Sequence, residues 1–424
     1  STSSDSDDNT FIGAYAGSGT WANTKSEFNV GVGNYTFNGN MDGGNYNTAL
    51  GYAALRAITT ADNNIGIGSG AGDALTTGGS NIALGYDALG EHTTGTRNIA
   101  IGHGAMNSTD AGSTSLGSND NVFMGLDAGG GTWADAASNY NIGIGNYTLD
   151  AAMNGALNNI AIGHIALSAI TTGDNNIGIG SEAGTAITTG LKNIIMGVAA
   201  GKGLVGGSSN VAVGHNALYT EDGHGQNIAI GDSALFTLNA GAQGNNVAIG
   251  RYASYGMTTG TSNISIGESA MKVHTTGARN IAIGAEAMDD TNAGSTSLAS
   301  EDNTFIGYRA GSGTWADAAS NGNIGIGNYT MDAAMNGALG NVSLGHYAVS
   351  SLTTGDYNIG IGQNAGLSIT TGEKNIAIGR QAGDTMTATS NTILIGFEAG
   401  QAINSTGANG TVAIGHQAGY AITS

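Results

Sequence analysis

The chain has 424 residues, with 11 Lys and Arg against 31 Asp and Glu, so its formal net charge is −20. The absence of a basic patch argues against nucleic acid as a partner and against anionic membrane surfaces. The chain contains neither Cys nor Pro, which excludes a disulfide framework and a thiolate metal site. No hydrophobic stretch approaches the length of a membrane span, so we expect no membrane insertion.

A five-residue motif of the form Asn-Ile-Ala-Ile-Gly recurs 23 times, most often at an interval of 17 residues. In one clean copy, residues 159–175, the segment 160–162 alternates with a period of two, which predicts a short strand. Gly163 ends the five-residue motif of this copy; the equivalent glycine is present in all 23 copies and predicts a corner with positive φ. Because so short a repeat cannot bury a core alone, the sequence predicts an all-β fold, a β-solenoid (parallel β-helix or β-roll) of about 23 coils.

Particular positions of the repeat form columns when the coils are stacked. The opening residue is Asn in 21 of 23 copies, with Thr392 and Thr411 as the exceptions. These amides predict a hydrogen-bonded ladder along the solenoid, as in cross-β stacks, for example through Asn159, Asn176, Asn193, Asn210 and Asn227. The eighth position is Ala in 20 copies and Thr in three, which predicts an inward position with room for a methyl group.

The third position of the repeat is small in most copies, while its two neighbours are large and apolar. Alternation along a strand places the small residue on one face and its neighbours on the other. We expect the small-residue face to pack against a second solenoid. A smooth strand facing solvent is the alternative, since scattered surface alanine is common.

Irregular spacing divides the chain into blocks. Near-identical entry segments begin at Ser1, Ser113 and Ser295, and each is followed by a longer coil containing Gly-Thr-Trp and then by Asn-Tyr-Thr. The sequence therefore predicts one continuous solenoid domain, residues 1–424, in three blocks: 1–112, 113–294 and 295–424. The Trp residues are Trp21, Trp133 and Trp315, and the Asn-Tyr-Thr motifs begin at Asn34, Asn146 and Asn328.

The two ends of the chain carry no capping helix or charged terminal coil. Unpaired solenoid ends favour head-to-tail addition of copies and hence a filament, with Ser1, Phe11 and Ser424 as assembly candidates. Capping by a neighbouring segment is the alternative. The first residue is Ser, which fits removal of a targeting segment, so the expected location is extracellular: secreted, on a cell-surface fibre or on a virion.

Candidate ligand-binding residues are few. Asp5, Asp7 and Asp8 offer oxygen ligands for calcium, with a solvated acidic loop as the favoured interpretation. Trp21, Trp133 and Trp315 are interpreted as anchors of the longer coils, with sugar-stacking platforms as the alternative. Five histidines follow the repeat glycine in coils that are never adjacent, so they predict no metal site. We expect no catalytic residues, no cofactor other than calcium, and no enzyme activity.

A Thr-Thr-Gly corner recurs in many coils. A regular threonine array is a feature of ice-binding solenoids, but a Thr-Thr pair before Gly is also a corner in which a hydroxyl caps the backbone. Ice binding is therefore the third functional alternative.

The string Asn-Ile-Ala-Ile-Gly-x-x-Ala…Thr-Thr-Gly-x-x-Asn resembles the repeats of bacteriophage tail fibres and bacterial surface fibres. More distantly, it resembles the head repeats of trimeric autotransporter adhesins. The resemblance covers nearly the whole chain and implies a trimer with its small-residue face at the axis, used for attachment or as a shaft. The expected function is a structural subunit of an extracellular fibre or filament that assembles with itself by end-to-end stacking and lateral packing. An adhesive tail fibre or adhesin shaft that binds cell-surface glycans is the alternative.

Overall fold

The computed structural model describes residues 6–21, 24–109, 117–133, 136–221, 223–239, 244–291, 299–315 and 318–422. These residues form a parallel β-solenoid with a basic repeat of 17 residues, which confirms the predicted fold class. The chain divides into two compact units, residues 1–209 and 210–424.

In the first unit, the described residues contain eleven strands of three residues, and each strand pairs in parallel with the next. Their bounds are β1 Thr10–Ile12, β2 Val30–Val32, β3 Thr48–Leu50, β4 Ile65–Ile67, β5 Ile82–Leu84, β6 Ile99–Ile101, β7 Val122–Met124, β8 Ile142–Ile144, β9 Ile160–Ile162, β10 Ile177–Ile179 and β11 Ile194–Met196.

In the second unit, the described residues contain twelve such strands, again paired in parallel, and one 3₁₀ helix, Thr406–Ala408. The strands are β12 Val211–Val213, β13 Ile228–Ile230, β14 Val247–Ile249, β15 Ile264–Ile266, β16 Ile281–Ile283, β17 Thr304–Ile306, β18 Ile324–Ile326, β19 Val342–Leu344, β20 Ile359–Ile361, β21 Ile376–Ile378, β22 Ile393–Ile395 and β23 Val412–Ile414. Within the part of the chain that the structure describes, no helix has the length and apolar character needed to cross a bilayer.

The interior of each turn is filled by a few columns of small and medium side chains. In the turn that begins at Asn159, the inward residues are Ala161, Ala166, Leu167 and Ile170, all fully buried. The column of alanines at the eighth position therefore points inward, as the sequence predicts.

The two faces of the strand are reversed relative to the sequence-based expectation. The small third residue is buried inside its own turn in β9, whereas Ile160 is half-buried and Ile162 is exposed. The prediction that the small-residue face packs against a second solenoid is therefore wrong. A turn of about 17 residues has so narrow an interior that opposite walls meet across a methyl group, and the larger residues face outward.

The glycine that follows each strand is required by close backbone approach. A Cβ on Gly163 would lie 2.6 Å from the carbonyl oxygen of Gly180 in the next turn, and Gly163 has φ of +128°. Both facts exclude other residues at this corner. The rest of the corner uses left-handed backbone at residues with side chains, such as Ile165 (φ 51°) and Leu167 (φ 48°).

Candidate functional site

The outward residues of the strands form an apolar face on each unit. We define this apolar face as the first and third residues of every strand; all are Ile, Val, Leu or Met except Thr10, Thr48 and Thr304. None of them is buried in the described chain. Eighteen of these 46 residues are exposed, for example Ile67 at 39%, Ile162 at 37% and Ile324 at 40%, and the other 28 are half-buried. The repeated parallel register aligns these side chains in two columns along the sheet.

The size of this face approaches that of a protein interface. Complete burial of an aliphatic side chain removes roughly 60–120 Å² from water, so a third-exposed side chain leaves about 20–40 Å² uncovered. The eleven strands of the first unit carry twenty such apolar residues, which together present roughly 400–800 Å² of apolar area. The largest apolar patch on a typical monomer is about 300–600 Å², and each partner of a standard interface contributes about 800 Å².

Polar and charged side chains border the apolar face. On one side, Arg97 forms a two-pronged ion pair with Asp120 in the next turn, with Nε–Oδ1 at 2.6 Å and Nη2–Oδ2 at 2.8 Å. The hydrogen bond from Arg97 lowers the pKa of the Asp120 carboxyl. On the other side, His215 Nδ1 lies 3.3 Å from Asp232 Oδ1. The border is therefore solvated and charged, which is the usual composition of an interface rim.

A buried asparagine ladder runs directly beside the strands. The Oδ1 of Asn159 accepts from the backbone N–H of Asn176 at 3.0 Å and from its Nδ2 at 3.1 Å. The same Nδ2 also donates to the Gly190 carbonyl at 2.8 Å, and Asn193 Nδ2 donates to Asn176 Oδ1 at 2.9 Å. Asn210 and Asn227 are linked in the second unit, where the Asn227 N–H donates to Asn210 Oδ1 at 3.0 Å.

Each interior amide is thereby satisfied at both its donor and its acceptor atoms. A fully satisfied buried network is stiff, because any change in the spacing of the turns breaks several bonds together. The ladder holds neighbouring turns in one register and so keeps the columns of the apolar face aligned.

The tryptophans pack inside the chain. Trp133 and Trp315 are each 1% exposed and meet Phe123 and Phe305 edge to face, with ring centroids 5.7 and 5.8 Å apart. Trp21 is half-buried and has the same contact with Phe11, at 5.5 Å. The indole faces of Trp133 and Trp315 are covered by protein, so this arrangement gives a sugar no surface for stacking at those two residues.

The remaining candidates are only partly described. Ser1, Asp5 and Ser424 lie outside the described residues, and Asp7 and Asp8 are exposed. Within the described ranges, no three His, Cys, Asp or Glu side chains are grouped so as to hold a metal ion. Calcium binding stays a prediction.

The threonines of the corner differ in environment. Thr171 is half-buried and its hydroxyl donates to the Thr188 carbonyl of the next turn at 3.2 Å, while Thr172 is exposed. The first hydroxyl of the pair is thus used within the chain, and only the second faces solvent at this corner.

Sequence reasoning missed three ionisable residues in the interior. His92, Glu221 and His274 occupy the twelfth position of the repeat, which holds a buried Ile, Leu or Met in the other nine turns of 17 residues, and all three are at most 1% exposed. Glu221 Oε1 accepts from His224 Nδ1 at 2.8 Å. Alignment of the coils on their opening Asn would have revealed these substitutions.

No known protein family matches the chain, and a search of curated proteins finds no match.

Proposed function

We propose that the protein is a structural subunit of an extracellular fibre or filament, in which copies of the chain pack side by side through their apolar faces. The observation that carries the proposal is the apolar face of each unit, with Ile67, Ile144 and Ile162 between 37 and 39% exposed. Its roughly 400–900 Å² per unit would be a liability on a free monomer. Covering it with a second copy of the same chain would remove that liability.

The regular spacing of the face supports pairing of like with like. Successive strands pair without stagger, as in Ile160↔Ile177 and Ile162↔Ile179, so the outward side chains repeat at the strand spacing of about 4.8 Å. A second copy carries the same spacing, so its side chains match the first over the whole length of contact. The proposal includes end-to-end stacking, which would repeat between copies the parallel pairing that joins successive turns.

The test compares the unmodified chain with two charge-matched variants. The face variant, I67K/I144K/I162K, places three cations on the apolar face. The control, T77K/T172K/T189K, places three cations on exposed corner positions of the same unit. Negative-stain microscopy and sedimentation across a concentration series should show assemblies for the unmodified chain and the control, and single particles for the face variant.

The opposite pattern is equally clear. Single particles of the unmodified chain at every concentration would overturn the proposal. Equal assembly of all three proteins would show that assembly does not depend on the apolar face.

An adhesive role is the second candidate, supported by tyrosines on the corners rather than by the tryptophans. Tyr52, Tyr140 and Tyr357 are 56 to 57% exposed, and exposed aromatic rings stack on sugars. Binding to a glycan array that is lost in Y52S/Y140S/Y357S but retained in W133F would support this role. The absence of binding to every glycan on the array would rule out the adhesive role.

A further inference from the structure

Two equivalent turns each carry a histidine in the apolar interior. His92 and His274 stand at the twelfth position, where Leu75 and Met257 stand in the turns before them. In each case the histidine Nδ1 lies 2.8 Å from a buried threonine Oγ1 of the next turn, Thr109 or Thr291. Both histidines directly precede the longest turns of the chain, in which the opening asparagines are 23 residues apart.

The surrounding hydrogen bonds assign the neutral tautomer. The Thr291 hydroxyl donates to the Met288 carbonyl at 3.1 Å, so its oxygen accepts from Nδ1–H of His274. Asn280 Nδ2, 3.2 Å from the histidine Nε2, can only donate, so Nε2 is unprotonated and accepts. His92 has the same arrangement, with Asn98 Nδ2 at 3.2 Å from Nε2.

A second proton on His274 has no acceptor among its hydrogen-bond partners. It would place an N–H on Nε2 facing the Asn280 amide donor, and a cation in an apolar interior. Asn280 is a member of the ladder, bonded to Asn263 Oδ1 at 3.2 Å. Relief of the clash therefore disturbs the bond that holds this turn to the one before it.

No carboxylate compensates the charge. Charged groups on this turn and on the described parts of its two neighbours are exposed or half-buried, and none forms a hydrogen bond or ion pair with the imidazole: Arg251, Glu268, Lys272, Arg279, Glu286, Asp289, Asp290, Glu301 and Asp302. Burial alone lowers the pKa of His274, to about 4.

We propose that His274 makes its turn an acid-labile joint, which opens locally when the imidazole takes up a second proton, while turns with an apolar residue at this position stay closed. The joint directly precedes an entry segment, which begins at Ser295. The inference does not depend on the proposed assembly.

The direction of the pH effect follows from proton linkage. The pKa of His274 is lower in the folded chain, about 4, than the ordinary value of 6.5. The opened state therefore binds more protons between these values, and stability of the closed turn is lost as the pH falls from 6.5 to 4. At pH 5 the opening equilibrium should rise roughly 30-fold relative to pH 7.5.

Hydrogen–deuterium exchange of the full chain at pH 7.5 and pH 5, corrected for intrinsic exchange, tests the inference. Peptides covering 269–291 should show the rise, and peptides covering 160–190 should not. The variant H92L/H274L should lose the effect and still fold. Leu fills this position at Leu75, Thr291 keeps its bond to Met288, and Asn280 Nδ2 keeps the Ser300 carbonyl at 2.8 Å.

Two further variants keep the outcome decisive. H92Q/H274Q cannot be protonated but retains a donor and an acceptor, and it should behave like H92L/H274L. H164Q/H346Q changes two histidines of the exposed slot after the repeat glycine and should keep the acid response. A flat exchange profile in the unmodified chain would overturn the inference, as would an acid response that persists in both H92L/H274L and H92Q/H274Q.

Discussion

Phe123 and Gly143 stand opposite each other in paired strands, and the Phe123 ring fills the space that a side chain on Gly143 would need. Their Cα atoms are partners in the register of β7 and β8. A Cβ on Gly143 would lie 2.5 Å from Phe123 Cδ1, too close for any real contact. The same relationship joins Phe305 to Gly325 in the second unit. The solenoid interior therefore keeps its volume constant from turn to turn.

This complementarity predicts that Gly143→Ala is destabilising by about 1–3 kcal/mol, because the added methyl group overpacks the interior. Gly206→Ala is the matched control, since its Cβ would be 3.6 Å from Thr189 Oγ1, an ordinary contact. Thermal unfolding of both variants checks the difference. The added Cβ would also lie 2.7 Å from Thr148 Oγ1, so the triple variant F123L/G143A/T148A should recover most of the loss. Leu394 already packs between Ala377 and Ala413, and Ala is the usual residue at the position of Thr148. Equal midpoints for G143A and G206A would contradict this account.

The asparagine ladder predicts a larger loss of stability when one of its interior asparagines is replaced by alanine. Asn176→Ala removes the amide that serves Asn159 Oδ1, Asn193 Nδ2 and the Gly190 carbonyl. Each buried group left without a partner costs about 1–3 kcal/mol, so the variant should lose at least about 2 kcal/mol in urea unfolding.

The control for the ladder is its immediate neighbour. Asn175 is exposed and has φ of 59°, so Asn175→Gly relieves a left-handed residue and should change the unfolding free energy by only a few tenths of a kcal/mol. If N176A and N175G unfold at the same urea concentration, the ladder contributes little to stability.

The tryptophans predict a fluorescence difference. Trp133 and Trp315 are each 1% exposed, while Trp21 is half-buried. Acrylamide should therefore quench the variant W133F/W315F, which keeps only Trp21, several-fold more than W21F. Similar quenching of the two variants would mean that the longer coils open in solution.

Trp133→Ala should also destabilise the chain by about 3–5 kcal/mol through the cavity it leaves.

Much of the fold could be predicted from one turn of sequence. The period of Ile160-Ala161-Ile162, the invariant glycine and the opening asparagine are local signals, and each corresponds to a local feature of the structure. The orientation of the strand could not be predicted in the same way. Alternation identifies two faces but not which one is inside, and the usual preference for burying the larger apolar residue pointed to the wrong one.

The reason lies in the width of the turn. Ala161 faces inward because Ala166 and Leu167 occupy the same narrow interior. The width of that interior is set by the closure of the whole turn rather than by the strand. The apolar face, which carries the proposed function, was therefore assigned to the wrong side of the strand. The left-handed φ of Leu167 was missed for a similar reason, since leucine gives no local signal for that conformation.

Identical registers also predict that a whole turn can be removed. Deletion of residues 160–176 joins Asn159 to Ile177, so strand β8 meets β10 with the ladder and the glycine corner intact. Leu149 then covers Gly178 in place of Leu167. Circular dichroism should show an unchanged β signal and a melting midpoint within a few degrees of the parent. Loss of the β signal or of the cooperative melting transition would contradict this expectation.

The uniform register of the turns has a genetic consequence. Since each turn closes the same bonds with its neighbours, no single turn specifies how many there are, and the coding sequence alone sets that number. The near-copies that begin at Ser113 and Ser295 are 182 residues apart, and DNA with such duplications misaligns during replication and recombination. Alleles that differ by whole turns would therefore still encode folded products.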